Sequence, residues 1–194
     1  MSVDNPDPES SHSHRKPIIL IGAPSGAGKT VLSQKIIAGD FPIFNEFLKN
    51  AWDQPPISYD LKILPINPPR DRILIIECST SKPDKLICSE PWQRMLKLLQ
   101  ECEVIIYVTL KVPKLLITRQ YFLRIFREPK QTPIFFRTLQ ISKYRTTLAY
   151  LLTKQLLKSN KFWKEFGEEI LDAMSPRVTM ITVKRTALGY VVDN

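Results

Sequence analysis

The segment from Pro17 to Gly39 constrains the fold more than any other part of the chain. It opens with a continuous apolar run, Pro17-Ile18-Ile19-Leu20-Ile21, which predicts a central strand buried on both faces. A glycine-rich turn follows from Gly22 to Gly28, and Thr30 to Ala38 has apolar residues at helical spacing before Gly39 ends the helix. A buried strand, a glycine turn and a helix in this order are typical of α/β proteins with a largely parallel sheet.

The turn contains a phosphate-binding motif, Ala23-Pro24-Ser25-Gly26-Ala27-Gly28-Lys29-Thr30, which fits the P-loop pattern with Ala23 in place of its first glycine. Glycines let the backbone curl until successive amides point inward around phosphate oxygens, and the following helix adds its N-terminal amides and dipole. Lys29 can then reach the β- and γ-phosphates as a catalytic residue, and the Thr30 hydroxyl is a candidate Mg²⁺ ligand. We therefore expect these eight residues to bind a nucleoside triphosphate, ATP or GTP, together with Mg²⁺.

A second polar landmark is Glu77, at the end of the apolar run Arg72-Ile73-Leu74-Ile75-Ile76-Glu77. An acid at the end of a strand beside the phosphate-loop strand holds magnesium through water or activates a nucleophile. Glu77 is therefore the candidate second metal residue and second catalytic residue. The alternative is a solvated glutamate at a strand end.

The remaining pattern predicts an α/β fold. The runs Ile57–Ile66 and Arg72–Cys78 predict an antiparallel hairpin, because the loop Asn67–Asp71 is too short for a parallel crossover. Residues 40–56 are predicted to be irregular. Helices are predicted at Pro91–Gln100, Lys114–Phe126, Ser142–Ser159 and Phe162–Met174, and strands at Val104–Leu110, Thr132–Phe136 and Val178–Val183. We expect a three-layer sandwich of the P-loop NTPase type, whose mostly parallel sheet has one antiparallel hairpin strand. Residues 1–16 would form a disordered tail, and residues 17–194 one nucleotide-binding domain.

This arrangement resembles the Ras-like small GTPases in the phosphate loop, in the hairpin Tyr59–Glu77 and in the order of the later strands. The resemblance implies a nucleotide-dependent switch. Glu77-Cys78-Ser79-Thr80 stands where that family has Asp-x-x-Gly, and Arg137-Thr138-Leu139-Gln140 stands where it has the guanine-reading Asn-Lys-x-Asp. These departures predict weak hydrolysis and leave the choice between ATP and GTP open.

Two other functions remain open. The loop Pro24–Lys29 also resembles that of guanylate-kinase-like enzymes, and Arg119, Arg124 and Arg127 resemble the lid of a small-molecule kinase, whose arginines clamp transferring phosphates. The short distance along the chain from Lys29 to Glu77, part of it taken up by the predicted hairpin, argues against that enzyme class. The third alternative is a nucleotide-regulated protein that binds nucleic acid or another anionic surface.

The charge distribution supports the third alternative. The net charge is +9 over the whole chain, while Lys111–Lys164 holds thirteen Lys and Arg residues against one acid, Glu128. Charge concentrated in this way predicts an anionic partner, either nucleic acid, an acidic protein or a membrane surface; the alternative is a solvated basic surface. No apolar run approaches the roughly 20 residues that cross a bilayer, so no transmembrane segment and a cytoplasmic location are expected.

Overall fold

The computed structural model describes residues 16–48, 54–80, 83–113, 115–116, 119, 145–174 and 176–193. Its strands are β1 (Ile18–Gly22), β2 (Ile57–Asp60), β3 (Leu74–Cys78), β4 (Ile105–Lys111), β5 (Val178–Arg185) and β6 (Tyr190–Asp193). Its helices are α1 (Lys29–Ile37), α2 (Pro42–Leu48), α3 (Pro83–Ile87), α4 (Glu90–Gln100) and α5 (Arg145–Met174), with a short 3₁₀ helix at Leu61–Ile63.

The strands form one six-stranded sheet in the order β2-β3-β1-β4-β5-β6. The first five strands in that order run parallel to their neighbours, and β6 pairs antiparallel with β5. The predicted α/β class with a mixed, mostly parallel sheet is therefore confirmed. β1 lies in the middle, between β3 and β4, and every residue of β1 is buried, as its continuous apolar run predicts.

The predicted antiparallel hairpin over residues 57–78 is wrong, because β2 and β3 are parallel, with Ile57 opposite Leu74 and Asp60 opposite Glu77. Strand β2 ends at Asp60, whose side chain accepts the Lys62 amide at 2.9 Å and begins the 3₁₀ helix. The whole of residues 61–73 is then available to bring the chain back to the other end of the sheet, whereas the prediction allowed only the loop 67–71 for the return.

The apolar residues after β2 follow helical rather than strand spacing. Leu61 and Leu64 are buried, three residues apart, as the turn of a 3₁₀ helix requires, whereas Ile63 is 73% exposed. The Arg94 guanidinium of α4 donates a hydrogen bond to the Leu64 carbonyl at 2.7 Å and holds this connection against the sheet. Along Ile57–Ile66 the chain therefore does not alternate as one strand would: the four residues of β2 are all half-buried, and the strand ends at Asp60.

The antiparallel pair lies instead at the C-terminal end, where β5 and β6 are joined by a tight turn. The Thr186 amide donates to the Gly189 carbonyl at 2.7 Å, and Gly189 has a φ of 145°, which favours glycine. Strand β6 was not predicted. The irregular structure predicted for residues 40–56 is also wrong in part, because α2 begins at Pro42, with Phe41 and Phe44 buried against each other at a ring-centroid distance of 6.0 Å.

Helices cover both faces of the sheet, in agreement with a three-layer arrangement. One hydrophobic cluster joins the sheet to α4 and α5 and contains the aromatic group Trp92, Phe162, Trp163 and Phe166. A second cluster joins the other face to α1 and α2. Helix α5 is continuous from Arg145, which confirms helix for the described parts of the predicted segments 142–159 and 162–174.

Some predicted elements cannot be compared. The tail up to residue 15 and the predicted strand Thr132–Phe136 lie outside the described residues, as does the predicted helix Lys114–Phe126 apart from residues 115, 116 and 119. In the described part of the chain, no helix is both long enough and apolar enough to span a bilayer.

Candidate phosphate-binding site

The glycine-rich loop begins where the central strand β1 ends. Gly22, the last residue of β1, lies opposite Cys78 of β3 and Thr109 of β4, so the loop emerges between the carboxyl ends of two flanking parallel strands. The Ala23 amide donates to the Cys78 carbonyl at 3.3 Å and anchors the start of the loop to β3. In open α/β sheets, ligands bind in the crevice at such a position, where connections leave the sheet in opposite directions.

Two glycines give the loop its curvature. Gly26 and Gly28 have φ angles of 77° and 97°, a left-handed backbone that side chains disfavour, and the Ala27 amide closes the turn on the Pro24 carbonyl at 3.2 Å. Gly28 is the N-cap residue of α1 and has no side chain with which to cap the helix. The first amides of α1 therefore have no acceptor within the helix and none from a capping side chain, and no acidic side chain occupies the first turn. An anion is the natural partner for such a helix end.

Lys29 lies under the loop with only 7% of its surface exposed. Its ammonium donates to the loop carbonyls of Ala23 at 3.3 Å and Pro24 at 3.0 Å. Burial lowers the pKa of Lys29 from 10.5 to about 8, and the nearby Glu77 carboxylate opposes this effect. A buried cation with a destabilised charge gains from a polyanion placed beside it, which is the role predicted for this lysine.

Glu77 is buried at the end of β3, with 7% of its surface exposed, and it is surrounded by hydroxyl groups. The Thr30 hydroxyl donates to one carboxylate oxygen at 2.7 Å. The Ser33 hydroxyl of α1 and the Ser58 hydroxyl of β2 lie 2.9 Å and 3.0 Å from the other oxygen. The structure thus brings together Lys29, Thr30 and Glu77, the three residues singled out from the sequence, and the glutamate is not a solvated strand-end residue.

The donor set next to Thr30 fits Mg²⁺. This ion prefers oxygen ligands and is usually held by one or two carboxylates together with phosphates and water, and the Thr30 hydroxyl and Glu77 carboxylate supply such oxygens 2.7 Å apart. Within the described residues there is no group of three or more His, Cys, Asp or Glu side chains that could hold a metal without help. A metal here would therefore depend on phosphate oxygens for the rest of its coordination.

A cavity of about 350 Å³ opens beside this carboxylate on the β2 side. Six residues of polar type line it, from β2, from the end of β3 and from α1: Thr30, Ser33, Gln34, Ser58, Asp60 and Glu77. Because Asp60 lies opposite Glu77 in the parallel register, the two strands place a second carboxylate at the same edge of the sheet.

Sequence reasoning missed several residues of this site. Ser33 had a recognisable signal, since it is a polar residue on the buried side of α1, next to Leu32. Ser58 and Asp60 were not identified because the predicted antiparallel pairing of β2 does not place them beside Glu77, whereas the parallel register does. Arg185 and Tyr190 also reach the loop, donating to the Ala27 and Gly28 carbonyls at 2.9 Å each, and nothing in the local pattern signals their role.

The kinase-like and basic features are only partly described. Arg119 is exposed, and Arg124 and Arg127 lie outside the described residues. On α5 the side chains of Lys154, Lys158, Lys161 and Lys164 are exposed. The last two of these form ion pairs one turn apart with Glu165 at 3.4 Å and Glu168 at 3.6 Å, so part of the positive charge of Lys111–Lys164 is balanced on the helix itself.

Comparison with known proteins does not assign a family. No protein-family model matches the chain, and no curated protein is significantly similar to it.

Proposed function

We propose that this chain is a P-loop NTPase-type protein that binds a magnesium–nucleoside triphosphate, ATP or GTP, in the loop Ala23–Thr30. One observation carries the proposal. Buried Lys29 lies below a loop whose glycines have positive φ angles, and next to it the Thr30 hydroxyl lies 2.7 Å from the Glu77 carboxylate. The loop amides and Lys29 would hold the phosphates, and Thr30 with Glu77 would hold the metal. When bound, Mg²⁺ would neutralise negative charge on the phosphates.

The dependence of affinity on metal and on phosphate number tests this proposal. We expect ATP or GTP to bind more tightly than the corresponding diphosphate when Mg²⁺ is present, because a metal held by Thr30 and Glu77 would supply positive charge next to the terminal phosphates. The advantage should shrink when the metal is chelated. Calorimetric titration of both nucleotide pairs, with and without Mg²⁺, gives the comparison. If the triphosphate and the diphosphate bind equally well, both with and without Mg²⁺, the proposed metal site is contradicted.

Phosphoryl transfer to a small molecule is favoured over a Ras-like switch by the sheet topology. The resemblance to small GTPases included an antiparallel hairpin over Tyr59–Glu77, and the parallel β2 removes that part of it. The objection to a kinase was the short distance along the chain from Lys29 to Glu77, and the part of it that referred to the hairpin no longer applies. In its place, β2 contributes Ser58 and Asp60 to a polar cavity of about 350 Å³ beside Glu77, which is a size that small-molecule sites have.

In this second proposal the cavity would hold a hydroxylated acceptor. The bond between the γ-phosphorus and the bridging oxygen would break, a bond from that phosphorus to the acceptor hydroxyl oxygen would form, and the hydroxyl proton would pass to the Asp60 carboxylate. The diphosphate would leave. Catalysis would then come mainly from positioning and from charge stabilisation by Lys29 and the metal.

Transfer of a γ-labelled phosphate to nucleosides, sugars and polyols distinguishes the two functions. A labelled product that Asp60→Asn abolishes, while nucleotide affinity is retained, would support the kinase. Asp71→Asn is the matched control, because this exposed acid lies outside the cavity. Nucleotide binding without transfer to any acceptor would favour the nucleotide-dependent switch.

We also propose, independently of the reaction, that the basic stretch Lys111–Lys164 engages an anionic partner, either nucleic acid, an acidic protein or a membrane surface. Its sequence charge and the exposed lysines of α5 support this. The pairs that Lys161 and Lys164 form with glutamates reduce the charge available at that end of the helix.

A further inference from the structure

The C-terminal hairpin reaches the phosphate loop with two side chains. Arg185 ends β5 and Tyr190 begins β6, directly opposite each other in the antiparallel register. The Arg185 guanidinium donates to the Ala27 carbonyl at 2.9 Å, and the Tyr190 hydroxyl donates to the Gly28 carbonyl at 2.9 Å. Two consecutive carbonyls of the loop are therefore held from outside by a part of the chain far away in sequence.

Fixing these carbonyls also fixes the amides that follow them. In a planar trans peptide, the carbonyl of one residue and the N–H of the next point in opposite directions. The bond from Arg185 therefore helps to set the direction of the Gly28 amide. The bond from Tyr190, together with the Leu32 amide that donates to the same Gly28 carbonyl at 3.0 Å, sets the direction of the Lys29 amide. These two amides lie at the entry to α1, where a phosphate would bind.

The contact is tightly packed. A Cβ atom placed on Gly28 would lie 2.5 Å from the Tyr190 hydroxyl and 2.6 Å from an Arg185 guanidinium nitrogen. The guanidinium also lies over the Tyr190 ring, 5.9 Å from its centre, and Lys111 of β4 forms an ion pair with Asp193 of β6 at 3.0 Å. Burial raises the pKa of Tyr190, so its hydroxyl stays protonated and able to donate at neutral pH. The hairpin is thus attached to the loop and to β4 by several contacts.

We propose that Arg185 and Tyr190 are positioning residues, which hold the Gly28 and Lys29 amides in the orientation that binds phosphate without touching the phosphate themselves. This inference rests on the proposed function and extends it to the C-terminal hairpin. It requires that loss of either contact weakens the binding of every polyphosphate, whatever base the ligand has.

The test uses inorganic tripolyphosphate, ATP and GTP, each titrated calorimetrically with Mg²⁺ into the full chain well below its unfolding temperature. Tyr190→Phe removes only the hydroxyl and should weaken all ligands that the wild type binds by about 2- to 10-fold, the value of one hydrogen bond. Arg185→Met removes a charged donor and should weaken them about tenfold or more. Val191→Ala is the matched control, because this half-exposed neighbour on β6 faces the other side of the strand.

A similar loss for tripolyphosphate and for each nucleotide bound, with the unfolding temperature preserved and Val191→Ala unaffected, would support the inference. Wild-type affinity in both hairpin variants would overturn it. A loss confined to nucleotides, with tripolyphosphate unchanged, would also overturn it, because the hairpin would then contact the base or ribose. If the wild type binds none of the three ligands, the proposed function itself fails. If the wild type binds and both variants bind equally well, only the positioning role fails.

Discussion

Lys29 should make nucleotide binding depend on pH above about 8. In the folded chain, burial lowers the pKa of this lysine from 10.5 to about 8. Phosphates placed beside the ammonium would raise the pKa again, so binding above pH 8 would take up one proton. Affinity should therefore change little with the Lys29 charge below pH 8 and fall by up to about tenfold per pH unit above it.

Calorimetry from about pH 7 to about pH 9.5, in buffers of different ionisation enthalpy, measures both the affinity and the number of protons taken up. Lys29→Met is the control, because it keeps an unbranched side chain of similar length and removes the titrating group. The variant should bind weakly at every pH and take up no proton. Constant wild-type affinity across this range, or the same pH slope in the variant, would refute the role given to Lys29.

Whereas nucleotide affinity should fall above pH 8, the contribution of Lys29 to the stability of the free protein should rise with pH. Between pH 8 and 10.5 the unfolded chain holds a proton on Lys29 that the folded chain has lost, so the contribution of this residue to stability rises with pH. The full change is equivalent to roughly 3 kcal/mol. The difference in unfolding free energy between the wild type and Lys29→Met should follow this rise, and using the difference removes the titration of other lysines, cysteines and tyrosines.

Four further predictions have defined outcomes. Glu77→Gln should weaken triphosphate binding with Mg²⁺ and leave metal-free diphosphate binding unchanged, because the amide keeps the size of the carboxylate and removes its charge; equal losses in both titrations would make the residue purely structural. Gly28→Ala should lower the free energy of unfolding by about 1 kcal/mol or more in chemical denaturation, because its φ is 97° and the new methyl group would meet the C-terminal hairpin. An unchanged denaturation midpoint would contradict this. Hydrolysis without a partner or acceptor should stay below about one turnover per second, the lower end of ordinary enzymes, and a faster phosphate-release rate would exclude the switch. Changing Lys154, Lys158 and Lys161 to Glu should flatten the salt dependence of binding to DNA, RNA or anionic vesicles. If the wild type binds none of these and elutes from heparin at low salt, the basic stretch is only a solvated surface.

The local patterns around the phosphate loop were sufficient to predict its structure. A continuous apolar run is typical of a strand buried on both faces of a parallel sheet, and β1 lies in the middle of this sheet. Because parallel strands end at the same edge, the acid that closes the next buried run had to come near the loop, and Glu77 accepts the Thr30 hydroxyl. The placement of β3 beside β1 therefore followed from hydrophobicity together with the position of one acid.

The direction of β2 could not be predicted in the same way. The inference relied on the length of the loop Asn67–Asp71, and this length was underestimated because Tyr59, Leu61 and Ile63 alternate as in a continuing strand. The residues buried instead are Leu61 and Leu64, and their burial depends on α4, which packs against this connection after the chain has passed through β3. Periodicity over four residues does not separate a short strand from a 3₁₀ turn when the deciding contacts come from elsewhere.

The C-terminal hairpin was missed for a related reason. Strand β6 has only four residues, and its side chains alternate between half-buried and exposed, so its apolar signal is weak. Its importance comes from Tyr190 meeting a loop more than 150 positions earlier in the chain. No local pattern contains such a contact, and only the assembled sheet places β5 and β6 beside the loop.

Binding of Mg²⁺–ATP and Mg²⁺–GTP to the wild type and to Lys29→Ala, measured by calorimetry at neutral pH, tests the central claim most directly. The variant removes an ammonium whose hydrogen bonds, within the described residues, go to the loop carbonyls of Ala23 and Pro24, so its unfolding temperature should not fall. The wild type should bind at least one of the two nucleotides at a single site, and the variant should bind neither while remaining folded. Unchanged binding by the folded variant, or no binding of either nucleotide by the wild type, would contradict the assignment of the loop as a triphosphate site.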